Sequence, residues 1–365
     1  MSYDAAGLFG MMRKRAVEGD RSACAALAIV LLGLGLAATV LFSLASGASD
    51  ASILAAARDL LFPSADPALS VRDRIIIYDI RLPRVLLGVL IGASLAVSGA
   101  VMQGLFRNPL ADPGLIGISA GSSLGAVAII VLGGTVLAPL TALFGSFALP
   151  LAAFCGGLAA TMVLYRISTR HGRTSVATML LAGIALAAMA MAFTGILIFV
   201  ADDRQLRDLT FWSLGSLAGA TWQKVGMVAP VILVALSAAP FLARGLNAMS
   251  LGEATASHLG IPVQRLKYAA IVAVAAATGT SVAVSGGIAF VGIVVPHLLR
   301  LLIGPDNRYL LLASALLGAS LLLMADAVSR TIVAPAELPI GIVTAAAGGP
   351  FFLSILLRKR GVLDL

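Results

Sequence analysis

Residues 82–105 read LPRVLLGVLIGASLAVSGAVMQGL, a continuous apolar run in which Arg84 is the one charged residue. A bilayer core of about 30 Å is crossed by about 20 apolar residues in a helix, and this run has that length. Its glycines, Gly88, Gly92, Gly99 and Gly104, recur at intervals that let helix backbones approach closely. The segment therefore reads as a helix packed among other helices in lipid.

Similar runs fill the rest of the chain. Ten are expected, at about 23–46, 82–105, 114–134, 138–166, 175–200, 223–243, 263–284, 287–303, 308–331 and 338–358. With 365 residues, 60% of them hydrophobic and 12% charged, the chain has too little polar surface to cover itself in water. A closed barrel would show alternating segments of about ten residues, which these long runs do not. The expected fold is all-α and polytopic, one transmembrane domain over residues 1–365 with an amino-terminal tail of about 22 residues. The first run, Ala23 to Leu44, has full spanning length and no small-residue cleavage site, so it is expected to stay as the first helix.

The net charge of +8 does not point to nucleic acid, because the basic residues sit in short connections and form no uninterrupted patch. They set orientation instead. With a cytoplasmic amino terminus, sixteen Lys and Arg fall inside and nine outside, so both termini are placed in the cytoplasm. Cys24 and Cys155 fall within spans and read as small core hydrophobes.

Two outer segments carry charge. Residues 58–84 read as an amphipathic stretch lying over the membrane, and Asp202 to Gly219 starts polar and then places Phe211 and Trp212 at the interface. They suit a surface that receives another protein, or are ordinary solvated loops; pattern alone leaves both open.

No catalytic set is visible. A phosphate-cradling loop is missing, and His171, His258 and His297, all expected on the cytoplasmic side, have no carboxylate at metal-ligand spacing. Active transport would need an engine on another chain. The longest structured cytoplasmic connection, NAMSLGEATASHLGIP at Asn247 to Pro262, offers a short helix that a partner could push, or a polar re-entry turn. The stretch from Asn108 to Pro113 cannot be continuous helix, since each proline lacks a donor and restricts its predecessor, so it is expected near a gate or vestibule. Arg81, Arg84, Asp326, Arg330 and Glu337 lie near span ends, either as a functional set or as side chains snorkelling to headgroups.

Five stretches in order give these features a shared context: RLPR at 81–84, SGAVMQGLFRNPLADPGLIGISAGSSLG at 98–125, LGEATASHLG at 251–260, GGIAFVGIVVPHLLR at 286–300 and ELPIGIVTAAAGGPFF at 337–352. With them the chain resembles the iron-siderophore, haem and cobalamin permease family of ABC importers over almost its whole length. The resemblance implies a type II importer architecture in the bacterial inner membrane. It implies a homodimer of ten-helix subunits with two ATP-binding cassette subunits below and one periplasmic substrate-binding protein above. ATP would bind the partner subunits, and the permease would hold no permanent cofactor or metal.

By the same resemblance, coupling helices at about 248–262 would fit the ATPase through Leu251, Gly252, Glu253, Ala254, His258, Leu259 and Gly260. Arg81, Arg84 and Arg330 match the outer arginines that would pair with glutamates of the binding protein. Gln103, Asn108, Pro109, Met189 and Met191 are the candidates for the translocation path and its gate. Met102 and Met179 share the apolar character of these spans, and plain core packing is the favoured reading of all four methionines.

QLRDLTFWSLGSLAGATW at 205–222 is most similar to haem permeases, which puts haem first as cargo and leaves ferric siderophore and cobalamin open. A secondary transporter would need intramembrane carboxylates, of which Asp326 is the one well placed. A passive channel would need no engine at all.

Overall fold

The computed structural model describes residues 21–47, 70–170 and 173–358. In chain order the helices are α1 (Ser22–Ala45), α2 (Val71–Phe106), α3 (Ile118–Leu132), α4 (Ala138–Phe144), α5 (Ala148–Ser168), α6 (Val176–Phe199), α7 (Asp203–Ser213), α8 (Trp222–Ser250), α9 (Glu253–His258), α10 (Val263–Ser285), α11 (Val291–Ile303), α12 (Asn307–Thr331) and α13 (Ile340–Arg358). A two-residue hairpin, β1 (Thr169–Arg170) and β2 (Arg173–Thr174), joins α5 to α6. Among the described residues seven helices are long and apolar enough to cross a membrane, and the shorter α3, α11 and α13 are also apolar.

The helix read first from the sequence is the centre of the bundle. Nearly every residue of α2 from Pro83 to Phe106 is buried, as expected of a helix that is apolar all round and surrounded by others. Small residues set its contacts. A Cβ on Gly92 would collide with the Gly318 carbonyl of α12, and one on Gly99 with the Gly292 carbonyl of α11. The same device joins α3 to α5 through Gly121 and Gly156. In lipid, apolar burial between helices gains little over contact with acyl chains, so close backbone packing supplies the attraction.

Three breaks in the helices satisfy one another. Ser216 N–H donates to Ser285 C=O at 2.7 Å, and Ile340 N–H and Gly341 N–H donate to Gly215 and Leu214 C=O at 3.0 Å each. Backbone released from helix at this depth needs such partners. Gly286, at φ 71°, lets its chain pass against the Trp212 carbonyl, where a side chain would not fit. This crossing makes α11 start at Val291 rather than 287.

Several expectations are corrected. The stretch 58–84 does not lie flat as far as the structure describes it. From Val71 it is one helix with the span, carried through a π-helical segment at Ile75–Arg81, and residues 48–69 lie outside the described residues. The span expected to end at 243 runs on to Ser250 through Pro230 and Pro240, which a packed membrane helix tolerates. Cys24 and Cys155 are within helices but face outward, not into a core; acyl chains accept a thiol as readily as a protein interior does. His297 is buried inside α11, within the span expected at 287–303, and His171 lies outside the described residues.

The long helix α6 is unlike α2. It fully buries only Met179 and Gly183; Val176, Leu180, Ala182, Leu186 and Leu197 pack half-buried against the bundle, and its other large apolar side chains, from Leu181 to Phe199, are exposed.

Candidate functional site

The bundle has one face carrying the start of α1 and the short helix α9, and an opposite face carrying the end of α1 and the start of α2. Each holds a cluster marked out by the sequence.

On the opposite face the three arginines converge and point inward. Arg84 donates from Nη2 to Asp326 Oδ1 at 2.8 Å and from Nη1 to Glu337 Oε1 at 2.9 Å. Arg330 meets the other Asp326 oxygen at 3.0 Å, and its Nη1 donates to Ser46 C=O at 2.9 Å. Arg81 donates to Leu44 C=O at 2.7 Å. Asp326 is 1% exposed, and the arginines are all buried. The carbonyls at the end of α1 lack intrahelical partners and carry the negative end of its dipole. Three cations are thus met by two carboxylates and a helix terminus. In this conformation the arginines are committed internally.

On the amino-terminal face, α9 is set by its flanks. Gly252 at φ 107° and Gly260 at φ 81° occupy backbone conformations that favour glycine. Ala256 is fully buried and anchors the helix, and Ile261 N–H closes onto its carbonyl at 3.0 Å. The other side is open: Ala254, His258 and Gly260 are exposed, and Leu251 and Leu259 are 65% and 62% exposed. The connection is shorter than expected, since 247–250 complete α8. Glu253, half-buried, forms an ion pair with Lys267 at 2.7 Å.

The path candidates are dispersed. Gln103 is buried and donates to Ile293 C=O at 3.3 Å, a strut between α2 and α11. Asn108 and Pro109 are exposed, with Asn108 accepting from Leu110 N–H at 2.9 Å in a local turn. Met189 and Met191 face outward from α6 at 56% and 72% exposure, whereas Met102 and Met179 are packed inside.

The profile of the FecCD transport family matches residues 35–358, nearly all of the described chain. The chain belongs to the FecCD transport family. The hemin transport system permease protein of Yersinia pestis is 48% identical over 282 residues, covering 77% of this chain and 83% of that one. The cobalamin import system permease protein of Halobacterium salinarum is 42% identical over 292 residues, covering 80% and 76%. A solved metal-chelate type ABC transporter in an inward-facing conformation superposes with a TM-score of 0.79 at 31% identity, covering 90% of this chain and 98% of that one.

As a FecCD permease the chain is a membrane-spanning importer subunit and not itself catalytic; the ATPase is a separate subunit. The bundle is built accordingly, with Arg84, Arg330 and Asp326 buried as ion pairs and large apolar side chains such as Leu34, Leu181 and Phe241 turned outward.

Two residues of this FecCD permease escaped the sequence reading. Asp112 follows the break after α2, yet its chain turns back. A Cβ on Gly292 would lie 3.1 Å from Leu95 C=O and 3.4 Å from Asp112 Oδ2, and Leu95 lies eleven residues, about 16 Å, before the end of α2. The carboxylate accepts from Gly114 N–H at 2.7 Å and borders a cavity of about 350 Å³ with Ser119, Ser213 and Thr278. Its signal in sequence was the Asp-Pro pair, which marks a helix start. Lys267 is the second; it counted as a loop cation but is 1% exposed.

Proposed function

We propose that this permease moves haem from a periplasmic binding protein into the cytoplasm by alternating access, as a homodimer driven by two ATP-binding cassette subunits. The observation that carries the reading is α9. It is a short helix pinned by Ala256, with Leu251 and Leu259 left open to solvent beside Ala254 and His258. Exposed leucines on a rigid helix fit a cleft in a partner, and a pinned helix passes on the force applied to it. This face is then cytoplasmic, in line with the excess of Lys and Arg assigned there.

The opposite face receives the binding protein. Arg81, Arg84 and Arg330 support it from beneath, and Glu337, with its side chain 38% exposed, is the internal partner an incoming carboxylate displaces most readily. Charge pairs at such a rim steer encounter more than they add affinity. The second copy is favoured by α6, whose apolar surface, including Met189 and Met191, is uncovered in one chain. Between two copies, Asn108, Pro109 and these methionines line a weak, mostly apolar path that lets cargo leave.

Haem is placed first because the hemin permease of Yersinia pestis is the more similar of the relatives compared, at 48% against 42% for the cobalamin permease. The second reading, cobalamin, rests on that relative, and ferric siderophores belong to the same class of bulky chelates. Uptake of haem, cobalamin and a ferric siderophore into proteoliposomes holding the permease, its ATPase and its binding protein tests the assignment. ATP-dependent haem uptake is expected; passage without the ATPase, or a preference for cobalamin, would overturn it.

A further inference from the structure

Thr174 is the last residue of β2, and α6 begins two residues later at Val176. Both of its backbone groups are held by α10. Thr174 N–H donates to Gln264 Oε1 at 2.9 Å, and Thr174 C=O accepts from Lys267 Nζ at 2.8 Å. Residues 264 and 267 are three apart, one above the other on a helix face. Lys267 Nζ also donates to Glu253 Oε1, the first side chain of α9, at 2.7 Å.

A single buried ammonium therefore bridges α9 to the entrance of α6. The ammonium has three protons and no acceptor; losing Glu253 would leave its buried charge without an ion-pair partner, and losing the Thr174 carbonyl would leave one of its buried protons without this acceptor. Displacing α9 thus draws Thr174 with it. Thr174 precedes Ser175, whose hydroxyl caps α6 by accepting from Thr178 N–H at 3.3 Å, so the pull enters at the first turn of that helix.

The load it moves is light. Only Met179 and Gly183 of α6 are fully buried, with Val176, Leu180, Ala182, Leu186 and Leu197 packed half-buried against the bundle, so tilting it disturbs less packing than tilting a helix such as α2. Its 24 residues span about 36 Å, and a small shift at the base becomes a larger one at the far end. Helices fixed to the core, such as α2, could not be moved this way without losing close backbone contacts.

We infer that Lys267 is a positioning residue that transmits motion of α9 through Thr174 to α6, coupling ATPase engagement to movement of this loosely packed span. The inference rests on the reading of α9 as the ATPase contact. Lys267 touches neither the ATPase nor the cargo; it acts through Glu253 and Thr174.

The test uses the assembled complex of permease, ATPase and binding protein in lipid nanodiscs and proteoliposomes. Hydrogen exchange is followed over 173–183 and 253–260, with and without trapped nucleotide, beside ATP hydrolysis and uptake. In the parent protein both segments are expected to respond to nucleotide. In Lys267→Met, 253–260 still responds, 173–183 no longer does, and uptake per ATP falls about tenfold, within the usual range of coupling between sites. Gln264→Leu, which removes one bond to Thr174 without touching the ion pair, shows the same uncoupling to a smaller degree. A nucleotide response at 173–183 that persists in both variants, with uptake per ATP unchanged, overturns the linkage alone. No response at 253–260 in the parent protein overturns the reading of α9 and the linkage together.

Discussion

Arg84 and Asp326 are 242 residues apart in the chain, and their side chains meet at 2.8 Å with 7% and 1% of their surface exposed. Asp326 also takes Arg330 at 3.0 Å, so one carboxylate holds α2 and α12 together and compensates two guanidinium groups.

Removing that carboxylate's charge leaves two buried cations short of a partner, and breaking a buried pair from one side typically costs 3–5 kcal/mol. Asp326→Asn is therefore expected to lower stability by about 3 kcal/mol. Glu337→Gln, at a side chain 38% exposed, costs less than about 1 kcal/mol. Thermal melts in lipid nanodiscs, followed by the fluorescence of Trp212 and Trp222, compare the two. Equal melting temperatures would show that the network does not hold the helices.

Gly99 marks the closest approach of α2 to α11, with no room for a Cβ beside the Gly292 carbonyl. Gly33, on α1, has nothing within 4 Å of the same position. Gly99→Ala should destabilise by about 1–3 kcal/mol, as overpacking does, whereas Gly33→Ala should be neutral or slightly stabilising through helix propensity. The yield of folded monodisperse protein after extraction reads both.

Asp306 caps α12 from the connection before it, accepting from Asn247 Nδ2 at 2.7 Å and from Arg308 N–H at 2.9 Å. Partial burial on its own would raise its pKa; the bonds from Arg308 and Asn247 outweigh this and hold it below the usual carboxylate value. A lowered folded pKa means stability that is complete above about pH 4, the unfolded value, and is lost as pH falls through the folded one. The acid limb of a stability profile below about pH 4 should therefore be shallower in Asp306→Asn, with no change contributed by this group between about pH 5 and 8. An unchanged acid limb would remove Asp306 from the balance.

Leu259 is 62% exposed beside α9 and supports nothing inside the bundle. Leu259→Glu should leave folding intact and weaken retention of the ATPase by tenfold or more, roughly the effect of losing an apolar anchor at an interface. Co-purification from membranes together with a melting curve separates the two effects. Full retention of the ATPase would place the contact elsewhere.

Most of the helical framework was legible because the signals are local. Seven of the apolar runs hold helices long enough to span, and the prolines and glycines of 108–117 marked a break that the structure shows between α2 and α3. For α9 the local signal, Gly260 and Pro262 after 253–258, left a short helix and a polar re-entry turn both open, and the structure shows the helix. Boundaries failed where a distant segment intervened. The start of α11 depends on the turn at 213–216, and the π-helical entry to α2 is joined by Trp222, whose Nε1 donates to Tyr78 C=O at 2.9 Å. The outward cysteines were misread because apolar character does not distinguish a lipid-facing position from a core one.

Spanning length, helix punctuation and the family motifs are properties of residues adjacent in the chain, and the sequence alone determined them, together with the all-helical membrane class. Only the tertiary structure decided which charges are spent on one another: that Arg84 answers Asp326, that Lys267 is buried between Glu253 and Thr174, and that Asp112 returns to the level of Leu95. The reason is physical. Hydrophobic length acts along one segment, whereas the cost of a buried charge is set by what the fold brings to it from elsewhere in the chain.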